Sequence, residues 1–116
     1  MLLAGTAAAR LQLIQSQVTA CLHDTGLSIA FIAQRNSLSP KQVQRLFERT
    51  GTTFAEFVLE QRLLYAHSLL GNPGTRQQKI ATVAYSTGFG DLSYFNRAFR
   101  RRFGMTPSEW RDGSSL

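Results

Sequence analysis

Basic and amide side chains occur at helical spacing near the middle of the 116-residue chain. Gln44 and Arg45 follow Lys41 by three and four residues, so a helix would carry all three on one face. Arginine and lysine match the two acceptors of guanine in the major groove, and glutamine matches the donor and acceptor of adenine. Arg49 follows one turn later, where a phosphate contact is expected. This face could therefore bind the bases and the backbone of a nucleic acid.

A second stretch with similar side chains lies closer to the C-terminus. Its early turns would carry polar groups and one leucine, and the arginines that follow are expected to contact the nucleic-acid backbone. The early positions are Asp91, Leu92, Ser93, Asn96 and Arg97, and the later arginines are Arg100 and Arg101. We predict that both stretches make the same kind of contact.

The excess positive charge of the chain, +6 in total, lies in these two stretches. Residues 28–51 and residues 88–103 each carry four basic residues against one acidic residue, and the remaining charges balance. A polyanion that contacts the protein in two places fits this distribution better than a membrane surface does. A solvated charged face on each helix is the alternative interpretation.

Length and composition exclude several classes of protein. The apolar content of 43% argues against disorder, and 116 residues suit one compact domain or two small subdomains that share a helix. The single cysteine, Cys21, excludes an intramolecular disulfide and fits a reducing compartment. No apolar stretch approaches the roughly 20 residues that span a bilayer. We expect a cytoplasmic protein without membrane contact.

Catalytic, metal and cofactor sites are not indicated. His23 and His67 are far apart, and no cysteine or carboxylate cluster accompanies them at metal-ligand spacing. No serine or carboxylate has a histidine at suggestive spacing, and the glycines at 88–90 fit a turn rather than a phosphate-binding loop. We expect no enzyme activity, no metal and no cofactor.

Apolar residues recur with helical periodicity and without strand-like alternation, which predicts an all-α fold of about seven helices. Leu63 and Leu64 belong to an apolar surface that surrounds much of the fourth helix, so we expect burial on more than one side. The predicted helices cover about 8–24, a short segment after Ser28, 39–50, 53–70, a segment ending near Gly88, 91–102 and a last turn after Thr106.

Three blocks of the first half recur in order in the second half. The segment VQRLF at 43–47 matches FNRAF at 95–99, and GTTFAEF at 51–57 matches GMTPSEW at 104–110. The third pair places Ser37 and Leu38 opposite Gly88 and Phe89. Each copy has a short helix, a tight turn and a second helix with a basic face, which indicates a helix-turn-helix.

The segments GFGDLSYFNRAF at 88–99 and FGMTPSEWR at 103–111 closely resemble the signature of AraC/XylS-type transcriptional regulators. The resemblance covers about residues 9–111 and implies two helix-turn-helix subdomains, at 9–52 and 72–116, joined by a long central helix at 53–71. It adds Gln42 to the base-reading positions of the first subdomain and implies base reading by the early positions of the second. Ser39 and Tyr94 join the later arginines as predicted phosphate contacts.

The sequence departs from the family pattern in the first turn. Ser37 stands where the family usually has glycine, so we expect an unusual backbone or a different entry angle there. Leu92 offers no hydrogen bond and either contacts a thymine methyl group or packs. Many family members carry an N-terminal sensing domain, and residues 1–8 look like the remnant of a linker. We therefore expect the C-terminal part of a longer effector-responsive regulator.

The function predicted from these features is that of a sequence-specific regulator that binds double-stranded DNA. Two recognition helices would enter adjacent major-groove segments about 34 Å, or about 10 base pairs, apart. Because the copies are in tandem, one chain would read an asymmetric site. RNA polymerase is a possible partner, and a protein-interaction role could coexist. The competing hypothesis is a basic helical module that binds DNA non-specifically or binds RNA.

Overall fold

A computed structural model describes residues 2–113 of the chain, without the side chains of the first few residues. Seven α-helices and one short 3-10 helix account for its regular structure, and the described residues form no strand. The α-helices are α1 (Leu2–Ala20), α2 (Ile29–Arg35), α3 (Pro40–Glu48), α4 (Phe54–Leu70), α5 (Ile80–Ser86), α6 (Leu92–Phe103) and α7 (Pro107–Gly113), and the 3-10 helix is Pro73–Thr75. The predicted all-α fold with about seven helices is confirmed.

Helix α1 begins and ends earlier than the predicted span of about 8–24. It runs through residues 2–8, which were predicted to be a linker remnant, while Met1 lies outside the described residues. Alanine has the highest helix propensity, and the alanines at 7–9 extend the helix toward the N-terminus. At the other end, the Cys21 amide donates to the Val18 carbonyl at 3.0 Å, which tightens the last turn and ends the helix.

The packing divides the chain into two compact units. The first comprises the chain up to Leu22 together with Gly26–Leu59, and the second comprises His23–Thr25 together with the chain from Glu60 onward. Each unit contains one helix pair of the internal repeat, α2 with α3 in the first and α5 with α6 in the second.

The first unit is built on an apolar core contributed by α1, α2, α3 and the start of α4. Its fully buried members include Ile14, Val18, Ile32, Ala33, Val43 and Phe47. The ring of Phe47 meets that of Phe54 edge-on, with centroids 5.6 Å apart. At the edge of the core, the side-chain amides of Gln17 and Asn36 exchange two hydrogen bonds, at 3.2 and 2.7 Å, which fixes α1 against the end of α2.

The turns of the two units repeat one another bond for bond. The Leu38 amide donates to the Ala33 carbonyl at 2.9 Å, and the Phe89 amide donates to the Ala84 carbonyl at 3.0 Å. The side chain of Asn36, the residue before Ser37, donates to the Ile32 carbonyl at 2.7 Å. Likewise, the side chain of Thr87, the residue before Gly88, donates to the Val83 carbonyl at 2.9 Å. The second turn is one residue longer, and so is the segment from the start of α6 to Gly104. Matching residues are therefore 51 positions apart in the turns, 52 apart in α3 and α6, and 53 apart at Gly51 and Gly104.

Ser37 has φ of 55° and is the one non-glycine residue with positive φ in the described chain, while its counterpart Gly88 has φ of 101°. The unusual backbone expected at this departure from the family pattern is present.

A side chain in the left-handed region costs about 1–2 kcal/mol. Ser37→Gly should therefore stabilise the first unit by about 0.5–1 kcal/mol, after the greater backbone entropy of unfolded glycine is subtracted. Urea denaturation followed by circular dichroism would measure the gain.

The matched variant is Gly88→Ala, which places a Cβ where the backbone is left-handed. We expect it to lower the free energy of unfolding by at least about 1 kcal/mol. An unchanged or lower stability of Ser37→Gly, together with a tolerated Gly88→Ala, would contradict the explanation from backbone strain.

Aromatic rings dominate the core of the second unit. Phe95 and Phe99 are fully buried, and their centroids lie 5.7 Å apart. The imidazole of His67, on α4, stacks on the ring of Trp110 at 4.1 Å and lies 4.4 Å from that of Phe103. The indole nitrogen of Trp110 donates to the backbone carbonyl of His67 at 2.9 Å, which joins α7 to α4.

The part of α4 in this unit is buried on one side only. Leu63, Ala66 and Leu70 are almost fully buried, but Leu64 is 41% exposed and Tyr65 is 43% exposed. The prediction that Leu64 would be buried with Leu63 is therefore wrong. Adjacent side chains on a helix point about 100° apart, so Leu64 faces away from the core that buries Leu63. No described element of this unit covers the face on which Leu64 lies.

The stability of the second unit should change with pH because of His67. Burial against the aromatic rings lowers the pKa of His67, and the nearby Arg102 guanidinium lowers it further. The unfolded state then binds the proton more tightly than the folded state, so protonation favours unfolding. We expect the free energy of unfolding to be highest above the ordinary histidine pKa of about 6.5 and to decrease as the pH falls below that value.

Urea titrations at pH 7.5 and pH 5.5 would measure this effect, with Trp110, the single tryptophan, as the fluorescent reporter. His67→Gln should reduce the difference between the two pH values. His23→Gln, which changes an exposed histidine in the segment after α1, should leave it in place. Equal pH dependence in all three proteins would contradict the assignment to His67.

Candidate nucleic-acid interface

Helix α3 of the first unit begins with a complete capping box. The Ser39 hydroxyl oxygen accepts from the Gln42 amide at 3.1 Å, and the Gln42 side-chain oxygen accepts from the Ser39 amide at 2.8 Å. Pro40 occupies the first helical position, where its missing N–H costs nothing. Local hydrogen bonds therefore fix the residue at which α3 begins.

The buried side chains of α3 determine which face is open to solvent. Val43 and Phe47 are completely buried in the core of the first unit. The opposite face is exposed and carries the base-reading positions predicted for this copy. These positions are Lys41, Gln42, Gln44 and Arg45, with Arg49 immediately after the helix.

A shallow groove of about 410 Å³ lies along this open face. Three of the predicted positions, Lys41, Gln44 and Arg45, contribute to its lining. Ile29 of α2, Pro40 and Glu48 complete the lining. The structure thus brings these three together on one surface, whereas Gln42 is not part of the lining and its side-chain oxygen is occupied by the cap.

Helix α6 of the second unit repeats this arrangement. The Asp91 carboxylate accepts from the Tyr94 amide at 2.9 Å and caps the helix, and Phe95 and Phe99 anchor the inner face. Ser93, Tyr94, Asn96 and Arg97 are exposed on the other side, and Leu92 is half-buried. Asp91 and Gln42 therefore both use a side-chain oxygen to cap their own helices, which leaves less of their hydrogen-bonding capacity for a ligand.

The C-terminal half of α6 is strongly basic. Arg100 and Arg101, the predicted phosphate contacts, are exposed, and positive charge at a helix C-terminus is favoured by the helix dipole. The neighbouring Arg102 makes a bidentate pair with Glu60 of α4, with the shortest N–O distance at 2.8 Å. Hydrogen bonds from Arg102 lower the pKa of the Glu60 carboxyl. Arg102 thus helps to hold α6 on α4.

Two features of these surfaces were not assigned a role by the sequence. No role was assigned to Glu48 from the sequence, although its spacing of seven residues from Lys41 places it on the same stripe of α3. The pair of Arg102 and Glu60 joins residues 42 positions apart, and no spacing rule predicts such a pair.

Residues 2–113 have neither a metal-ligand cluster nor a membrane-spanning helix. That part of the chain contains no group of three or more histidine, cysteine, aspartate or glutamate residues arranged to hold a metal ion. None of its helices is both long and apolar enough to cross a membrane.

Each unit has a second helix that is anchored by buried residues and presents polar and basic side chains to solvent. This arrangement defines a protein of the helix-turn-helix class. The family model described as "Helix-turn-helix domain" matches residues 32–113. The chain is 41% identical over 102 residues to the transcriptional activator RhrA of Rhizobium meliloti, covering 88% of this chain and 32% of that protein. It is 38% identical over 93 residues to the arabinose operon regulatory protein of Escherichia coli, covering 79% and 31%.

Solved structures agree with these sequence relatives. An AraC-type transcriptional regulator from Chromobacterium violaceum superposes with a TM-score of 0.84 at 29% identity, over 97% of each chain. The C-terminal domain of AraT from Geobacillus stearothermophilus shares the fold, with a TM-score of 0.81 at 21% identity, over 89% of this chain and 84% of that one. The chain belongs to the AraC-type helix-turn-helix family and corresponds to its DNA-binding domain. It spans about a third of the length of the curated relatives that it matches.

Proposed function

We propose that this domain recognises a specific double-stranded DNA site by placing α3 and α6 in two adjacent major-groove segments. The observation that carries the proposal is the matched construction of the two helices. Each is capped at its N-terminus, anchored by two buried residues and open on the opposite face. A recognition helix needs this arrangement, because its exposed side chains must meet base edges in a fixed register.

The proposed base contacts differ in chemistry between the two helices. Lys41 and Arg45 suit guanine and Gln44 suits adenine, whereas α6 offers Asn96 for adenine and Arg97 for guanine. The remaining proposed base-reading positions are Gln42, Asp91, Leu92 and Ser93. The proposed phosphate contacts are Ser39, Arg49, Tyr94, Arg100 and Arg101, all of them exposed.

Selection from a random duplex library, at near-physiological salt and with sequencing of the bound pool, tests this function. We expect enrichment of an asymmetric site with two short boxes about 10 base pairs apart. Binding without enrichment, with the same salt dependence on every duplex, would contradict sequence-specific recognition and favour a non-specific or RNA-directed module. The basic second half of α6 is the feature that favours this competing function.

The role of the whole protein is a separate proposal. The relatives named as transcriptional activators are about three times as long as the matched region, which supports a longer regulator with an N-terminal effector or dimerisation domain. Such a protein would act on DNA in the bacterial cytoplasm and could contact RNA polymerase. An intact mass of about 12.9 kDa for the protein from its source cell would contradict this proposal.

A further inference from the structure

Glu48 is an acidic residue on a surface that otherwise suits a polyanion. It lines the same groove as Lys41, Gln44 and Arg45, and the four residues follow the helical spacing i, i+3, i+4 and i+7. The recognition helix of homeodomains reads bases from four positions with this spacing. The location of Glu48 is therefore that of a potential base contact, and its charge is opposite to that of its neighbours.

Neither helix stability nor general DNA affinity accounts for a carboxylate at this position. Glu48 is the last residue of α3, where a negative charge opposes the helix dipole. Within residues 2–113, no hydrogen bond or ion pair holds its side chain, although Arg45 and Arg49 lie close to it in the sequence. Near DNA, the same carboxylate would be repelled by phosphate groups.

The internal repeat shows which residue the second unit has at the position that corresponds to Glu48. With the register that pairs Gln44 with Asn96 and Arg45 with Arg97, the counterpart of Glu48 is Arg100. Both residues are exposed and lie one turn beyond the arginine that is proposed to read a base. One structural position therefore carries opposite charges in the two units, and these charges should have different effects on binding.

We propose that Glu48 is a specificity-determining residue that accepts a hydrogen bond from the N4 amino group of a cytosine in the major groove. This inference rests on the proposed function of α3. A carboxylate is an acceptor only, so it matches the exposed amino group of cytosine and is repelled by the N7 and O6 acceptors of guanine. Glu48 thus weakens binding to most duplexes and strengthens discrimination at one C·G pair.

Selections with Glu48→Ala and with the unmodified protein, run side by side, test this proposal. We expect the variant to lose preference at a single C·G pair, with discrimination there falling about 5- to 30-fold. Its affinity for a random duplex should rise about 2- to 5-fold, because a repulsive charge has been removed. Glu48→Gln, which gains a donor, should admit adenine at the same position.

Two matched variants separate base reading from general charge. Asp112→Ala removes an exposed acidic residue on α7 and should leave every base preference unchanged. Arg100→Ala changes the counterpart of Glu48 and should weaken all duplexes alike. Circular dichroism and urea titration of each variant would show that α3 remains folded, as expected when an acidic residue is removed from a helix C-terminus.

The outcomes distinguish this inference from the function on which it rests. If the unmodified protein enriches a site and Glu48→Ala enriches the same site with every preference intact, the role of Glu48 is wrong and sequence-specific binding stands. If Asp112→Ala relaxes the same base pair, a general charge effect replaces base reading by Glu48. If the unmodified protein enriches no site, both proposals fail together.

Discussion

Arg45→Ala should weaken binding to the selected duplex by about 1–3 kcal/mol and relax preference at one base pair. Arg45 is exposed on the open face of α3, and its backbone is held by the neighbouring anchors Val43 and Phe47. A guanidinium in that position can donate two hydrogen bonds to guanine, and alanine leaves both acceptors unpaired. Arg97→Ala should have the same effect at a different position, in the part of the site that α6 reads.

The measurement is a titration of each variant against the selected duplex and against a random duplex of equal length. Arg101→Ala should weaken both duplexes alike and reduce the salt dependence, since we place that residue on phosphate. Arg10→Ala, on α1 and outside both proposed faces, should change little. Equal losses on the selected and random duplexes for Arg45→Ala would rule out its role in base reading.

Phe99→Ala should lower the free energy of unfolding of the second unit by about 3–5 kcal/mol. The ring of Phe99 is completely buried, and its centroid lies 4.7 Å from that of Phe103 and 5.7 Å from that of Phe95. Truncation leaves a cavity in the middle of the aromatic cluster, which adds to the lost burial of the ring. Since small domains are stable by only about 5–15 kcal/mol in total, this loss is a large fraction of the stability available to the unit.

Urea denaturation followed by the fluorescence of Trp110 measures this effect, because the only tryptophan belongs to the same unit. Tyr85→Ala is the control: it removes a larger side chain that is 52% exposed, and it should change stability by less than about 0.5 kcal/mol. A loss below 1 kcal/mol for Phe99→Ala would show that the cluster repacks. The counterpart Phe47→Ala should have a comparable effect on the first unit, measured by circular dichroism.

Local signals in the sequence predicted the helices well. The capping boxes that open α3, α4 and α7 are bonds between residues three positions apart, so sequence alone can predict them. The start of α1 was missed because the helix continues through residues 2–8, which include Gly5 and lack the apolar periodicity that begins at Leu11. The exposure of Leu64 was missed because periodicity shows which residues are apolar but does not show which neighbours cover them.

The candidate site was predicted to the extent that it lies on helix faces. The positions on α3 and α6 follow from periodicity once Val43 and Phe95 are taken as inward. The spacing of Ser39 and Gln42 predicts the cap that the Gln42 side-chain oxygen makes, whereas the sequence did not show whether the Asp91 carboxylate would cap α6 or contact a base, since aspartate suits both roles. The stack of His67 on Trp110 was equally hidden, because it joins residues 43 positions apart.

The bond-for-bond agreement of the two turns means that this chain carries two copies of one structural motif. The two copies have matching buried residues and hydrogen bonds, as at Ala33 and Ala84, while their exposed faces differ. Each substitution in one copy can therefore be compared with its twin in the same molecule, at the same concentration and in the same solution. Differences between twins then report what each half of the binding site requires, without an alignment of other proteins.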